Sequence, residues 1–259
     1  MEIVNESIYD HPRYYDLVFG SDCAAEIRFI HQINDQFLGG KAKQFFEPAC
    51  GTCRLIHLLA KKGTAVEGID LNEKAVQYGN QRFARHGLPE TAWVADMSAF
   101  KPRRKFDLAF NTINSFRHLL KPAEAAGHLT CMANGAKSKG IYLIGLHLNP
   151  SVGEMVDGES WSARRGHLSV LTRMWTENRD KKNRLDRFGM HFDIYTPTQQ
   201  FRIVDELKMR SYTHEQFFRM VELEGSWEIE SAFDFSYRIE HPIEVDETTE
   251  DVIFVLRKK

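Results

Sequence analysis

The sequence has no apolar run long enough to cross a bilayer. Its longest, around Ile141 to Leu148, is far too short, so no membrane partner is expected. The opening stretch MEIVNESIYDHPRYYD carries acids and no apolar h-region, which argues against a secretory leader. Cysteine is sparse: Cys23, Cys50, Cys53 and Cys131 are scattered along 259 residues and make no disulfide scaffold. A basic excess is also missing. With 34 Lys and Arg against 36 Asp and Glu, the net charge of -2 argues against nucleic acid or anionic lipid as a bulk partner. A local basic groove stays open. Internal repeats and low-complexity segments are absent. What remains is a soluble chain of a reducing, cytoplasmic compartment. Its 42% hydrophobic content is enough to fold around a core. The length suits one large domain, or one domain with an insertion.

Residues 1–40 read as helical, with Tyr14, Leu17 and Val18 on one face, then Glu26, Phe29, Ile30, Ile33 and Phe37 at helical spacing. Gly39-Gly40 closes this segment. The pattern then alternates between strands and helices. Strands are expected at 44–47, 64–70, 91–96, 106–111 and 140–148, with helices at 52–62, from Asn72 to about Gly87, and at 122–134. Strands separated by such helices make parallel βαβ units. Fully apolar strands such as YLIGL fit a sheet covered on both faces.

After Pro150 the pattern changes. Segments 167–177, 184–196 and 199–212 read as long antiparallel strands turning at RDKKN and TPT. A capped helix at 213–225 and two strands at 227–237 and 251–258 follow. The expected organisation is an N-terminal helical flap (1–40), an α/β core (41–150), an antiparallel β lid (151–212) and a closing helix with two strands (213–259).

The most informative stretch is EPACGTCR (47–54), at a strand-to-helix turn. Small residues at Ala49 and Gly51 let the backbone approach a ligand, and the helix start behind them offers free N–H groups. A dinucleotide fingerprint would need glycine where Arg54 stands, for close helix–strand packing. A P-loop would need Gly-Lys-Ser/Thr, which is absent. An acid, a spacer, a small residue, any residue and then Gly fits a turn that cradles a zwitterionic amino-acid tail.

This turn resembles motif I of class I S-adenosylmethionine-dependent methyltransferases, with Ala49 and Cys53 in place of two usual glycines. The resemblance covers residues 40–148 well, and the chain from 213 matches the family's last helix and strand pair. It implies an α/β, Rossmann-like sheet, mostly parallel with one antiparallel strand, carrying a β-rich lid insertion. The layout is similar to glycine/sarcosine-type and sugar-amine N-methyltransferases. It implies S-adenosylmethionine as cofactor, S-adenosylhomocysteine as product and a small-molecule acceptor methylated on N or O. A homodimer is compatible with it. Two other readings stay open: a methyltransferase for tRNA or protein, and a non-catalytic cofactor-binding module.

By the same resemblance, Glu47, Ala49, Cys50 and Gly51 surround the cofactor's tail. Asp70, 23 residues after Glu47, would hold the ribose hydroxyls, with Leu71 beside it. Asp96 would read the adenine amino group and Met97 pack its ring. Asn111, Thr112, Ser115 and His118, in NTINSFRHL, open the segment after the fourth strand. Asn111 would offer a carbonyl to the ammonium group. Tyr14 and Tyr15, in YDHPRYYD, belong to a flap whose tyrosine touches cofactor or substrate; the plain alternative is aromatic packing. His147, ending the fifth strand in IGLHLNP, is a candidate base for an amine or hydroxyl proton, or a structural histidine. Tyr15 and His147 are the candidate catalytic residues. Cys50-x-x-Cys53 with His57 permits a metal or redox site. No second C-x-x-C accompanies it, so small residues in a cofactor turn are the favoured reading and no metal is expected.

Overall fold

The computed structural model describes residues 1–20, 23–152 and 157–259. Residues 153–156, part of the expected lid, lie outside the described residues, as do 21–22.

The chain opens with a short strand, β1 (Glu2–Asn5), and a 3-10 turn at Ile8–Asp10. Helices α1 (Pro12–Phe19) and α2 (Ala24–Leu38) follow, the latter stopped by Gly39 at φ 61°. Then come β2 (Gln44–Pro48), α3 (Arg54–Lys61), β3 (Ala65–Asp70), α4 (Glu73–Arg85), β4 (Ala92–Val94), β5 (Phe106–Asn111), a 3-10 turn at Ser115–His118, α5 (Pro122–Gly135) and β6 (Ala136–His147). Four long strands follow, β7 (Gly158–Arg165), β8 (Leu168–Asp180), β9 (Leu185–Tyr195) and β10 (Gln200–Arg210). The chain ends in α6 (His214–Glu224), β11 (Trp227–Phe233) and β12 (Asp251–Lys258).

Local chemistry sets the helix limits. Asn72 Oδ1 accepts the Ala75 N–H at 2.9 Å and starts α4. Thr213 and Gln216 form a reciprocal capping box at α6, and Gly225 ends it at φ 82°. Leu55, Ile56 and Leu59 of α3 are buried against the sheet, as are Val76 and Phe83 of α4.

The main sheet has seven strands in the order β11-β12-β6-β5-β2-β3-β4. β12 alone runs against the others, pairing antiparallel with both β6 and β11. Apolar clusters cover both faces. One holds Phe46, Tyr142 and Phe254, the other Phe45, Phe110 and Ile253. The strand order reverses between β2 and β5, and such switch points open a crevice at the strands' C-terminal ends.

A second sheet, ordered β1-β10-β9-β8-β7, packs on α1 through Ile8, Leu17, Val170 and Phe192. Two of its strands depart from the sequence reading. Residues 1–40 are not all helical: Glu2–Asn5 add a parallel edge to β10. β7 is also unexpected. Its sequence GESWSARR is nearly all exposed, as an edge strand allows, so it carries no apolar alternation.

Candidate active site

The turn after β2 bends hard. Ala49, Gly51 and Cys53 all adopt the left-handed conformation, with φ of 55°, 51° and 59°. At Ala49 and Cys53 this conformation costs about 1 kcal/mol that glycine would avoid. The turn is tied down from both sides. Asp70 Oδ2 accepts the Gly51 N–H at 2.7 Å, and Cys50 N–H donates to the Ile69 carbonyl at 2.8 Å. Thr52 Oγ1 donates to buried Asp16 at 3.0 Å, so α1 holds the turn as well.

A cavity of about 1020 Å³ lies over the C-terminal ends of β2, β3, β5 and β6, under the second sheet. Glu47, Ala49, Cys50 and Gly51 line it from the turn, and Asp70 and Leu71 from the end of β3. Asp96 and Met97 line it beyond β4. Asn111, Thr112, Ser115 and His118 line it after β5, His147 at the end of β6, and Tyr15 from α1. Tyr14 is the exception and corrects the flap reading. It sits one position round α1 from Tyr15, outside this cavity, with its ring 5.8 Å from that of Phe201 in the second sheet.

Four cavity residues without a role in the sequence reading stand out. Tyr9 takes the place expected of Tyr14: its hydroxyl lies 3.1 Å from His118 Nε2 and its ring 5.5 Å from that of Tyr15. The run of three tyrosines was the available signal. Arg54, noted only as a missing glycine, lines the cavity and forms a two-pronged ion pair with Glu26 of α2. Thr52 is the third. Asp251 of β12, whose Oδ1 lies 2.5 Å from His147 Nδ1, is the fourth, and nothing local in sequence marks it.

The electrostatics follow from burial. Glu47 is 6% exposed, and desolvation pushes its carboxyl well above the usual range, against the pull of Arg54. Burial raises Asp70 as well, opposed by N–H donors from Asn72 and Gly51. Burial raises Tyr15 to about 12 and lowers His118. Two buried acceptors on the cavity, Glu47 Oε2 and Asn111 Oδ1, have no hydrogen-bond partner among the described residues. Leu71 is 73% exposed at the sheet edge. Unpaired acceptors call for a donor-rich group, and an exposed leucine for an apolar ring. S-adenosylmethionine, with an ammonium group and an adenine, meets both requirements.

Cys50 and Cys53 lie with their sulfurs 3.8 Å apart, both buried. His57 turns away and meets His86 at 3.1 Å. Among the described residues, no group of three His, Cys, Asp or Glu is placed to hold a metal ion.

The seven-stranded sheet with one reversed strand next to its edge, and an acid at the end of each of β2 and β3, defines the class I methyltransferase fold. Residues 46–140 match the family model described as a methyltransferase domain. No curated protein matches the chain. Among solved structures, the chain is similar to an S-adenosylmethionine-dependent methyltransferase from Clostridium acetobutylicum, at 18% identity over 97% of this chain and 99% of that one, with a TM-score of 0.78. It is similar to CalS10, an amino pentose methyltransferase from Micromonospora echinaspora, at 14% identity over all of both chains, with a TM-score of 0.74. It is also similar to the sugar N-methyltransferase KedS8 from Streptoalloteichus, at 17% identity over 99% and 94%, with a TM-score of 0.73. Residues 46–140 therefore match a methyltransferase domain, and the chain as a whole has the fold of class I S-adenosylmethionine-dependent methyltransferases.

Proposed function

We propose that this enzyme methylates a nitrogen of a small-molecule acceptor, an amine on a sugar-sized body. The observation that carries this reading is the cavity itself. At about 1020 Å³ it has room for the cofactor and one small acceptor. Its far wall is apolar and aromatic, with Trp161, Met174, Trp175 and Phe188 of the second sheet. Asp157 is paired with Arg179, which leaves Glu159 among these residues as the acid that suits an acceptor arriving as an ammonium ion. The amino-sugar relatives support the same acceptor class. In this reading the second sheet, with the N-terminal segment through α1, acts as a lid over the core, α2 packs on the main sheet, and 213–259 complete that sheet.

The bound cofactor supplies an activated methyl group on a sulfonium. This chain's residues do the rest. Glu47, Asn111 and the Gly51 turn hold the amino-acid tail, Asp70 the ribose, and Asp96 and Met97 the adenine. Tyr9 and Tyr15 close the cavity from the flap and keep water away. His147, with its Nδ1 proton directed at Asp251, keeps Nε2 free to take the acceptor's proton. Positioning is the larger part of the rate, since a held acceptor reacts as if at very high concentration.

The test has two stages. S-adenosylmethionine and S-adenosylhomocysteine should each raise the melting temperature by mass action, and NAD should not. Purified enzyme should then form S-adenosylhomocysteine with a panel of amino sugars and small amines. Turnover confined to tRNA or protein acceptors would sink the proposal. Binding without turnover on any acceptor would favour a non-catalytic module.

A further inference from the structure

We propose that a second site, on the outer side of α1, binds a phosphoryl group carried on a small molecule. A cavity of about 280 Å³ is lined there by Arg13 and Leu17 of α1, Tyr78 and Arg85 of α4, and Arg165 and Leu168 around the β7–β8 turn. Flap, core and second sheet thus each contribute an arginine. None of these six residues lines the methyl-transfer cavity.

The arginines are not consumed by neighbours. Among the described residues, the side chains of Arg13 and Arg85 make no hydrogen bond or ion pair. Arg165 is partly used: its Nη1 lies 3.2 Å from Asp16 Oδ2, and its side chain is 58% exposed. Arg82, one turn before Arg85, also pairs with Asp16, and its guanidinium lies 5.4 Å from the centroid of the Tyr78 ring. Buried Asp16 therefore sets one negative charge against four arginines. In a chain of net charge -2 this is a local concentration of like charge. Clustered guanidiniums repel each other, and an anion between them removes that cost.

Their chemistry selects the anion. A guanidinium presents paired N–H donors that match two oxygens of a phosphate. Leu17, Leu168 and the Tyr78 ring form the apolar part of the lining. That surface suits a phosphorylated small body better than a bare hydrated ion. The volume is below the usual range for whole drug-sized ligands, so the occupant is small. Asp16 also links this site to the cofactor turn, because its other oxygen receives the Thr52 hydroxyl.

The experiment titrates pyrophosphate into the full chain by calorimetry at constant ionic strength, against chloride. The double variant Arg13→Ala, Arg85→Ala runs beside the wild type, with S-adenosylhomocysteine affinity as the check that the fold survives. Wild type should bind pyrophosphate, and the variant should bind it at least about tenfold more weakly with unchanged S-adenosylhomocysteine affinity. Sedimentation with phosphatidylglycerol vesicles is the second arm and should show no binding. Equal pyrophosphate affinity in both proteins would overturn the proposal, as would no heat beyond the chloride control. Binding to vesicles without binding to pyrophosphate would overturn the small-molecule reading. This site stands or fails independently of the methyl acceptor's identity.

Discussion

His147 and Asp251 face each other across the antiparallel pair β6–β12, with Nδ1 and Oδ1 2.5 Å apart. The carboxylate fixes the ring's orientation, and in the tautomer with its proton on Nδ1 the lone pair sits on Nε2. His147→Ala should lower kcat about a hundredfold, the usual size of a lost general base. Asp251→Asn should lower it about tenfold, through misdirected tautomer and ring. Both side chains are partly exposed, so melting temperatures should move little. Steady-state kinetics check this: KM for S-adenosylmethionine should stay within about twofold. Unchanged kcat in His147→Ala would remove the base.

Glu47 gives a pH-dependent prediction. Burial raises its folded pKa above the unfolded value. A raised acid binds its proton more tightly when folded. Its favourable contribution is therefore full below the unfolded pKa, and is lost as pH rises through the folded one. Glu47→Gln should then melt higher than wild type at neutral and alkaline pH, with the difference closing toward pH ~4. The same change should weaken S-adenosylhomocysteine about tenfold or more, since the ammonium loses a charged acceptor. The two effects have opposite signs, and a variant that merely misfolded would show a fall in both. Differential scanning fluorimetry across pH, with and without ligand, measures them together.

Much of the core is legible in sequence because each piece is marked locally. The apolar runs FDLAFN and YLIGL mark central strands, Asn72 and Thr213 mark helix starts, and acids mark the ends of β2 and β3. The site is legible where its residues end a strand or closely follow one, as with Asp70 at the end of β3 and Asp96 just beyond β4. It is illegible where partners come from distant segments. Asp251 reaches His147 across 104 positions, and only the β6–β12 register brings them together. Tyr9 and Tyr14 cannot be told apart by composition. Tyr14 is turned by α1 toward Phe201 of the second sheet, and Tyr9 enters the cavity from the 3-10 turn before α1. β7 is hidden for another reason. An exposed edge strand needs no apolar face, so it leaves no periodic signal.

Cys53 and Gly79 are coupled by space. A Cβ built on Gly79 of α4 would collide with Cys53 Sγ, and would stand 3.3 Å from the Thr52 carbonyl carbon. Gly79→Ala should cost about 1–3 kcal/mol through overpacking, although alanine is otherwise favoured in a helix. In a Cys53→Gly background the sulfur is gone and Cys53's left-handed backbone is relieved. There the same Gly79→Ala should be neutral or stabilising by up to about 1 kcal/mol, a clear double-mutant coupling. Additive costs in denaturant unfolding would show that the sulfur is not the obstacle. S-adenosylhomocysteine should also protect Cys50 from thiol reagents, and chelators should have no effect. One equivalent of zinc in the purified protein would overturn this account of the turn.

Arg117 and Asp186 tie the second sheet to the main one. Arg117 follows β5, and its Nη2 lies 2.6 Å from Asp186 Oδ2 at the start of β9. Its Nε donates to the Arg210 carbonyl at the end of β10, at 2.9 Å. Both side chains are only 4% exposed. Burial alone would favour an uncharged arginine, and Asp186 opposes that shift. Arg117→Ala strands the Asp186 carboxylate without its cation, at a cost of about 3–5 kcal/mol. For a chain of this size that is a fall in melting temperature on the order of 10 °C. Replacing both groups, Arg117→Met with Asp186→Leu, removes the two charges together and keeps the volume. That variant should melt within a few degrees of wild type, because the pair's attraction mostly offsets its own desolvation. Both residues line the cavity. If the acceptor sits beneath the second sheet, as proposed, the double variant should bind S-adenosylhomocysteine normally while KM for the acceptor rises. Thermal melts and acceptor kinetics on the single and double variants separate the two roles. If the double variant melts as low as Arg117→Ala, specific hydrogen bonds such as that to Arg210 hold the sheets together, and the stranded charge does not explain the loss.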